Sequence, residues 1–316
     1  DLRENLSKNN PYFVDIINKE QKSLSSDVWS FYGPEFGDII KKVEDKSFPL
    51  IKIAKTGAGI QSGLNEVFVV DSNTISKYNL EKNFLRNYVK TRDIKPYSIY
   101  SRNLKVIKLL SSDKIDSYPN LKKYMLEHQS ALRNRYEARK GICNWFAFAV
   151  PRNLEIFDSS REKIITPIYS TSNKFGYDSA DIEQNFLTLS DTAVIQLIDS
   201  KYSTKAVLAI LNSYLMNFYY KKTRKLKRDG YYEYLSKTME TLPLKYSESF
   251  ESTVNPLVDN ILILNKKISE LGDKKTDEVV KLKKNLDIEI TKINQEVYKL
   301  YGITDKEKEV IEDSFK

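Results

Sequence analysis

Two stretches of this chain combine residue types and spacing that could do chemistry. The first, Gly57-Ala58-Gly59-Ile60-Gln61-Ser62-Gly63, holds three of the ten glycines within seven residues. Such a loop can bring backbone N–H groups, with Gln61, Ser62 and Asn65, against a polyanion without side chains in the way. It also fits a tight turn feeding a strand, and Val67-Phe68-Val69-Val70 reads as that strand. The spacing misses the dinucleotide fingerprint by one residue, and no Gly-Lys-Ser/Thr makes a P-loop, so spacing alone names no ligand. The second stretch, Lys221-Lys222-Thr223-Arg224-Lys225-Leu226-Lys227-Arg228, carries six cations in eight residues and leads into Tyr231-Tyr232. Cations interleaved with tyrosines suit phosphate tracking; solvated surface charge is the alternative.

Other chemistries are poorly served. Glu35 with Glu44-Asp45-Lys46 imitates a metal-dependent nuclease pattern. That chemistry places its carboxylates on neighbouring strands around a metal, whereas these fall on one helical stretch. Cys143 is the only cysteine and His128 the only histidine, so no intrachain disulfide, zinc site or His-based triad can form. No apolar run approaches the length of a membrane span and no signal peptide is visible, which leads us to expect a cytoplasmic protein. The 51 Lys and Arg exceed the 43 Asp and Glu, a net +8 that favours an anionic partner. The 21 tyrosines could stack on bases, but an AT-rich genome would inflate Tyr, Lys, Ile and Asn together.

The elements that would position these residues follow from periodicity. Pro34 opens a helix over 34–46, with Phe36, Ile39, Ile40 and Val43 on one face. Residues 119–140 read as one basic helix and 203–220 as an apolar one. Asn144-Trp145-Phe146-Ala147-Phe148-Ala149-Val150 reads as a buried strand ending at Pro151, with Arg152 presented at its end. Lys163-Ile164-Ile165-Thr166-Pro167 leads to a polar loop whose Tyr169, Asn173, Lys174 and Phe175 would face a partner; Asn and Lys suit adenine and guanine edges. Thr192 to Ile198 is a further strand. From Val254, apolar residues at helical spacing break at Gly272 and resume from Val279 to Leu300 in three- and four-residue steps, a helical hairpin with a coiled-coil-like seam. Gly302 fits the C′ position, and Thr304 or Asp305 caps a last short helix.

Several of these stretches together resemble one family. Gly59-Ile60-Gln61-Ser62-Gly63-Leu64-Asn65-Glu66-Val67-Phe68-Val69-Val70-Asp71 is similar to the signature opening the C-terminal specificity domain of TaqI-like and type IIG adenine-specific DNA methyltransferases. Arg92-Asp93-Ile94-Lys95-Pro96-Tyr97, the aromatic run to Pro151-Arg152, Lys163-Ile164-Ile165 with Phe175-Gly176-Tyr177-Asp178, and Ala206 to Ser213 with its basic loop, Gly230-Tyr231-Tyr232 and Leu242-Pro243-Leu244 follow in the family's order. Phe146 and Phe148 depart from the family's aromatic pattern. The terminus, Val297-Tyr298-Lys299-Leu300-Tyr301-Gly302-Ile303-Thr304, agrees as well. The resemblance runs from about Lys42 to the end.

It implies an α+β fold: a mixed β-sheet target-recognition domain with packed helices over 46–248, then an antiparallel helical hairpin over 249–316. Residues 1–45 would be the lead-in from a catalytic domain outside this chain, an expectation reinforced by the start at Asp1. That domain would bind S-adenosylmethionine; no cofactor is expected here. Asn9-Asn10-Pro11-Tyr12 lacks the family's first proline and reads as a turn, so no catalytic residue is assigned. The expected partners are double-stranded DNA and the N-terminal methyltransferase domain. The expected DNA-contacting residues are Gln61, Ser62, Asn65, Arg92, Lys95, Arg152, Tyr169, Asn173, Lys174, Phe175, Lys221, Lys222, Arg224, Lys225, Lys227, Arg228, Tyr231 and Tyr232, with Asp93 orienting Arg92. The rival readings are an assembly subunit that docks a partner through the hairpin, separable by size exclusion without residues 251–316, and a nuclease fragment.

Overall fold

The computed structural model describes residues 34–316, except 182, 273–275 and 316. Asn9-Asn10-Pro11-Tyr12 lies outside the described residues. At the centre stands a four-stranded antiparallel sheet in the order Ala54–Ala58, Thr192–Leu197, Lys163–Pro167, Gly176–Asp178. Ile164 pairs with Ile195, and Ile165 with both Val194 and Gly176. Alternate residues point to opposite faces. Ile164, Ala193, Ile195 and Leu197 therefore enter one hydrophobic core, while Ile165 and Val194 enter another. Both faces are covered, which is why these strands read as continuous apolar runs rather than alternating ones.

On the first face lie the helices Thr204–Asn212 and Tyr214–Thr223, the Pro34–Glu44 helix through Ile39, Ile40 and Val43, and the hairpin of Glu248–Leu271 and Asp277–Tyr301. The second core is built from residues of the 60–157 region with Phe186, Leu187 and Leu189. It includes a small antiparallel sheet with Lys105–Ile107 between Val69–Val70 and Leu85–Asn87. The fold is thus α+β, with several small antiparallel sheets and C-terminal helices. The sheets are antiparallel rather than mixed: among the described residues, parallel pairing is confined to the single bridges Ile60 to Leu189 and Tyr97 to Gly176.

The hairpin ends as its sequence dictates. Ser247 and Thr276 cap the two helices by accepting the Phe250 and Val279 N–H groups. Gly302 closes the second helix in the left-handed region, at φ 68°. Thr304 and Glu307 form a reciprocal capping box on the helix Asp305–Asp313.

Four elements differ from the sequence reading. Asn65–Phe68 forms one helical turn, leaving only Val69–Val70 as strand. The basic helix is three short ones, Pro119–Glu127, Gln129–Asn134 and Tyr136–Arg139, because His128 and Arg135 leave helical geometry; Arg135 is extended, at ψ 145°. Residues 144–151 form no strand and keep only the Val150 bridge to Gln61. The apolar helix is interrupted at Ser213, whose hydroxyl accepts the Met216 N–H and so starts a second helix.

One buried ion pair sits on this scaffold. Lys163 and Asp178 face each other across the sheet with Nζ and Oδ2 3.7 Å apart, both side chains fully enclosed. Lys163 also donates to Asn185 Oδ1, and Asp178 accepts the N–H groups of Ala180 and Phe186. Burial lowers the lysine's pKa and raises the aspartate's, each opposed by the other's charge. The pair pins the turn after Asp178, so these two motif residues hold structure rather than contact a partner.

Candidate nucleic-acid interface

Two loops far apart in sequence meet on one surface. Tyr169–Ser170 pairs antiparallel with Tyr232–Glu233, and the Tyr234 N–H donates to the Ile168 carbonyl at 2.7 Å. This joins the polar loop after Pro167 to the segment that follows the basic cluster. The Tyr169 hydroxyl donates to Glu233 Oε1 at 2.8 Å, and Lys227 Nζ lies 2.7 Å from Glu233 Oε2. The hydrogen bonds from Lys227 and Tyr169 lower the Glu233 pKa, and the same contacts raise those of Tyr169 and Lys227. Tyr169 is 56% exposed, Tyr231, which precedes the paired strand, is exposed as well, and so is Leu226 in the basic cluster. Lys174 is half-buried.

The six cations are not equivalent. Lys221 lies over the Phe315 ring at 5.0 Å and Lys222 over Phe36 at 3.8 Å, so both cover aromatic faces of the helical layer. Burial lowers the Lys221 pKa. Arg224 donates to Thr241 Oγ1 at 2.7 Å. Arg228 lies 3.7 Å from Asp229 with its side chain 94% exposed. Lys225 is exposed and forms no ion pair among the described residues. Lys225 and Arg228 therefore present charge outward and Lys227 is held by Glu233, whereas Lys221, Lys222 and Arg224 brace the helix end.

Four residues expected at the interface, Ser62, Asn173, Phe175 and Tyr232, are enclosed instead. The Asn173 amide donates to the Leu211 carbonyl at 2.6 Å, and its Oδ1 accepts the Tyr234 hydroxyl at 2.9 Å. Phe175 is fully buried and packs edge-on against Tyr234. Their polar-loop setting hid these distant partners, and neither has a face left for a duplex. Tyr232 is likewise buried, beside Tyr220.

The glycine-rich loop is a junction between protein segments. A Cβ on Gly59 would sit 1.9 Å from the Leu189 carbonyl oxygen, so that glycine answers a backbone crossing rather than a phosphate or cofactor. Ser62 is 1% exposed and donates to Asn65 Oδ1, while Gln61 donates to Glu137 at 3.1 Å and Arg152 to the Gly59 carbonyl at 2.8 Å. The turn thus engages Gln61 and Ser62 within the protein, while Asn65 stays exposed beside it. Gly63, at φ 79°, lies against Arg135, whose guanidinium donates to the carbonyls of Ser62, Leu132, Trp145 and Ala147. Sequence reading missed Arg135: it is one cation among several in its segment, and only its extended backbone marks it.

Asp93 also departs from expectation. Its carboxylate is 4% exposed and takes Arg102, not Arg92, with Nε 2.8 Å from both oxygens. Arg92 and Lys95 stay exposed on the surface next to the hairpin.

Among the described residues no group of three or more His, Cys, Asp or Glu side chains is arranged to hold a metal, and Glu44 accepts the Tyr219 hydroxyl at 2.9 Å. Nor is any described helix long and apolar enough to cross a membrane.

Known proteins share this architecture. The chain is 24% identical over 305 residues to the Type II methyltransferase M.MjaIV of Methanocaldococcus jannaschii, covering 90% of this chain and 96% of that protein. It is 29% identical over 126 residues to the Type II methyltransferase M.BstVI of Geobacillus stearothermophilus, 37% of this chain and 22% of that one. Its fold superposes with a TM-score of 0.58 and 12% identity on the Type IIL restriction–modification enzyme MmeI, solved in complex with DNA, over 83% of this chain and 34% of that one. The chain thus spans nearly all of one relative but a minor part of the other two. Residues 73–244, more than half of the sequence, match the TaqI-like C-terminal specificity domain, and the chain belongs to that family.

Proposed function

We propose that this chain reads duplex DNA as the specificity part of a type II adenine-N6 methyltransferase. The observation that carries the reading is the pairing of Tyr169–Ser170 with Tyr232–Glu233. It brings Tyr169 to the segment that carries Lys225, Lys227, Arg228 and Tyr231, and with Lys174 of the same polar loop these would supply cations for phosphates and tyrosines for bases or sugars. A rigid antiparallel pair beneath two loops is a sound platform for sequence reading. A catalytic domain outside this chain would supply S-adenosylmethionine and act on an adenine flipped from the helix. The choice of adenine and of that cofactor rests on the sequence resemblance.

The test is a binding selection from a randomised duplex pool, run beside a salt titration of Lys225→Ala/Arg228→Ala. An enriched motif containing adenine is expected. The variant should lose affinity about equally for all sequences, with a log–log salt slope flatter by about 2 for two lost phosphate contacts. A wild-type chain that retains no DNA overturns the proposal.

One observation favours a second role. Ile263 and Ile288 are exposed on the hairpin and line a shallow groove of 270 Å³ on its outer side. Such a face suits docking of another protein.

A further inference from the structure

A second cationic surface lies apart from the paired loops, where the 92–102 segment faces the far end of the hairpin. It is a cleft of 570 Å³ whose walls carry Arg92, Lys95 and Arg102 on one side and Lys283 with Ser269 on the other. Among the described residues Asp93 is the only acid lining it. That carboxylate is already engaged by Arg102, through Nε to both oxygens and Nη2 to Oδ1. Arg92, Lys95 and Lys283 form no ion pair among the described residues. Like charges facing one another across a cleft repel unless an anion enters, and the walls focus their field on that space.

The cleft is prebuilt. The Lys95 and Ser98 N–H groups donate to each other's carbonyls, and the Tyr100 N–H donates to the Asp93 carbonyl. Tyr97, at φ 68°, pairs with Gly176 at the sheet edge through two backbone bonds to neighbouring residues. The Tyr100 hydroxyl reaches Asn265 Oδ1 on the first hairpin helix at 3.3 Å, tying one wall to the other. An anion entering here orders little backbone, so little entropy opposes its capture.

We propose that this cleft takes a backbone phosphate of the DNA that the paired loops read, so that the hairpin grips the duplex as well as completing the core. The proposal rests on the DNA-reading function above. A phosphodiester fits because Arg92, Lys95, Arg102, Lys283 and the Ser269 hydroxyl line one cleft, with Ile268 and the Tyr100 ring beside them and suited to a sugar rather than a second charge. The 92–102 wall belongs to the segment matched by the specificity-domain family, so DNA is preferred to an acidic protein partner.

The test uses the full chain with Lys283→Gln and Lys95→Gln/Lys283→Gln, and measures duplex binding by fluorescence anisotropy from 50 mM to 300 mM salt. Both positions are exposed, and circular dichroism checks the fold. Neutralising one phosphate contact should flatten the log–log slope by about 1, which is about a five-fold loss of affinity near physiological salt, with sequence preference retained. A wild-type chain that does not bind DNA defeats the underlying reading. Wild-type binding with an unchanged slope in the double variant defeats the cleft proposal alone and assigns the cleft to an acidic protein partner. Lost affinity at an unchanged slope also overturns it, because that pattern is structural damage rather than a missing phosphate contact.

Discussion

Replacing Arg135 with methionine should be among the most damaging single changes in the reader region. Arg135 is 7% exposed and has no carboxylate partner among its four acceptors, which are all backbone carbonyls. Leu132 lies in the helix before it, Ser62 in the glycine-rich loop, and Trp145 and Ala147 in the aromatic run, at 2.8 to 3.0 Å where the geometry is ordinary. Its guanidinium also lies 5.5 Å from the centre of the Phe68 ring. Burial lowers its pKa against the opposing pull of Cys143 and Glu137; a guanidinium stays protonated all the same. Methionine fills similar space but takes the guanidinium from the enclosed carbonyls of Leu132 and Ala147, and leaves that of Ser62 only the long bond from the Ala149 N–H. At ~1–2 kcal/mol for each enclosed acceptor, plus the lost charge-assisted bonds, the cost is about 3–5 kcal/mol. That is a large share of the roughly 5–15 kcal/mol that holds a typical domain together. Urea unfolding should show the midpoint falling with little change in slope. Arg135→Lys should recover less than half, because one ammonium cannot span acceptors arranged around a planar fork. A methionine variant within about 0.5 kcal/mol of wild type would refute the view that this arginine locks the glycine-rich loop.

Gly59→Ala should lower the melting temperature through a cost of about 1–3 kcal/mol, because the new methyl meets backbone rather than a movable side chain; an unchanged melting point would show that the Leu189 segment yields freely. Acid should open the Tyr169–Glu233–Lys227 clasp. The folded Glu233 pKa lies below its ordinary 4.5, so the clasp's contribution is fully present above that value and is lost as pH falls through the lowered one. Comparing pH-dependent melting of wild type and Glu233→Gln checks this: their difference should shrink at acid pH, and a constant difference would dismiss an ionic clasp.

The hairpin was legible because its evidence is local. Val279, Ile293 and Val297 recur at the period that buries one helix face, and Gly302 and Thr304 announce the end in single residues. The central strands were legible for a related reason: Ile164-Ile165 and Ala193-Val194-Ile195 are short β-branched runs, and the structure adds that both of their faces are covered. The interface was not legible in detail. Asn173 looks like a base reader in a polar loop, yet its partners lie 38 and 61 residues away, at Leu211 and Tyr234. Nothing within its own segment distinguishes an amide that caps a distant helix end from one aimed at adenine. Three of the six cations, Lys221, Lys222 and Arg224, are turned into the fold for the same reason. Whether Lys222 meets solvent or the Phe36 ring depends on a helix nearly two hundred residues earlier in the chain. Charge density is written locally; its direction is set by packing.

The same packing decides how the hairpin's role can be tested. Deleting residues 251–316 assumes that the hairpin is an appendage. Val254, Val258, Ile261, Ile293, Val297, Tyr298 and Tyr301 instead belong to one core with Ile164 and Ile195 of the central sheet and with Ile39 and Val43. Each such side chain contributes ~1.5–3 kcal/mol on burial, so removing all of them forfeits more than the whole net stability of an ordinary domain. A truncated chain would aggregate or unfold whether the hairpin docks a partner or not, and size exclusion could not tell these outcomes apart. The two roles separate only on the outward side, where Ile263 and Ile288 are exposed, and at the basic end, where Lys283 faces Lys95. A charge placed at Ile263 or Ile288 should interrupt the proposed docking and leave the core whole; a neutral residue at Lys283 should remove the proposed phosphate contact and leave that face whole. The hairpin's inner face is already committed to the core, so these outward surfaces are where a further function can be probed without unfolding it.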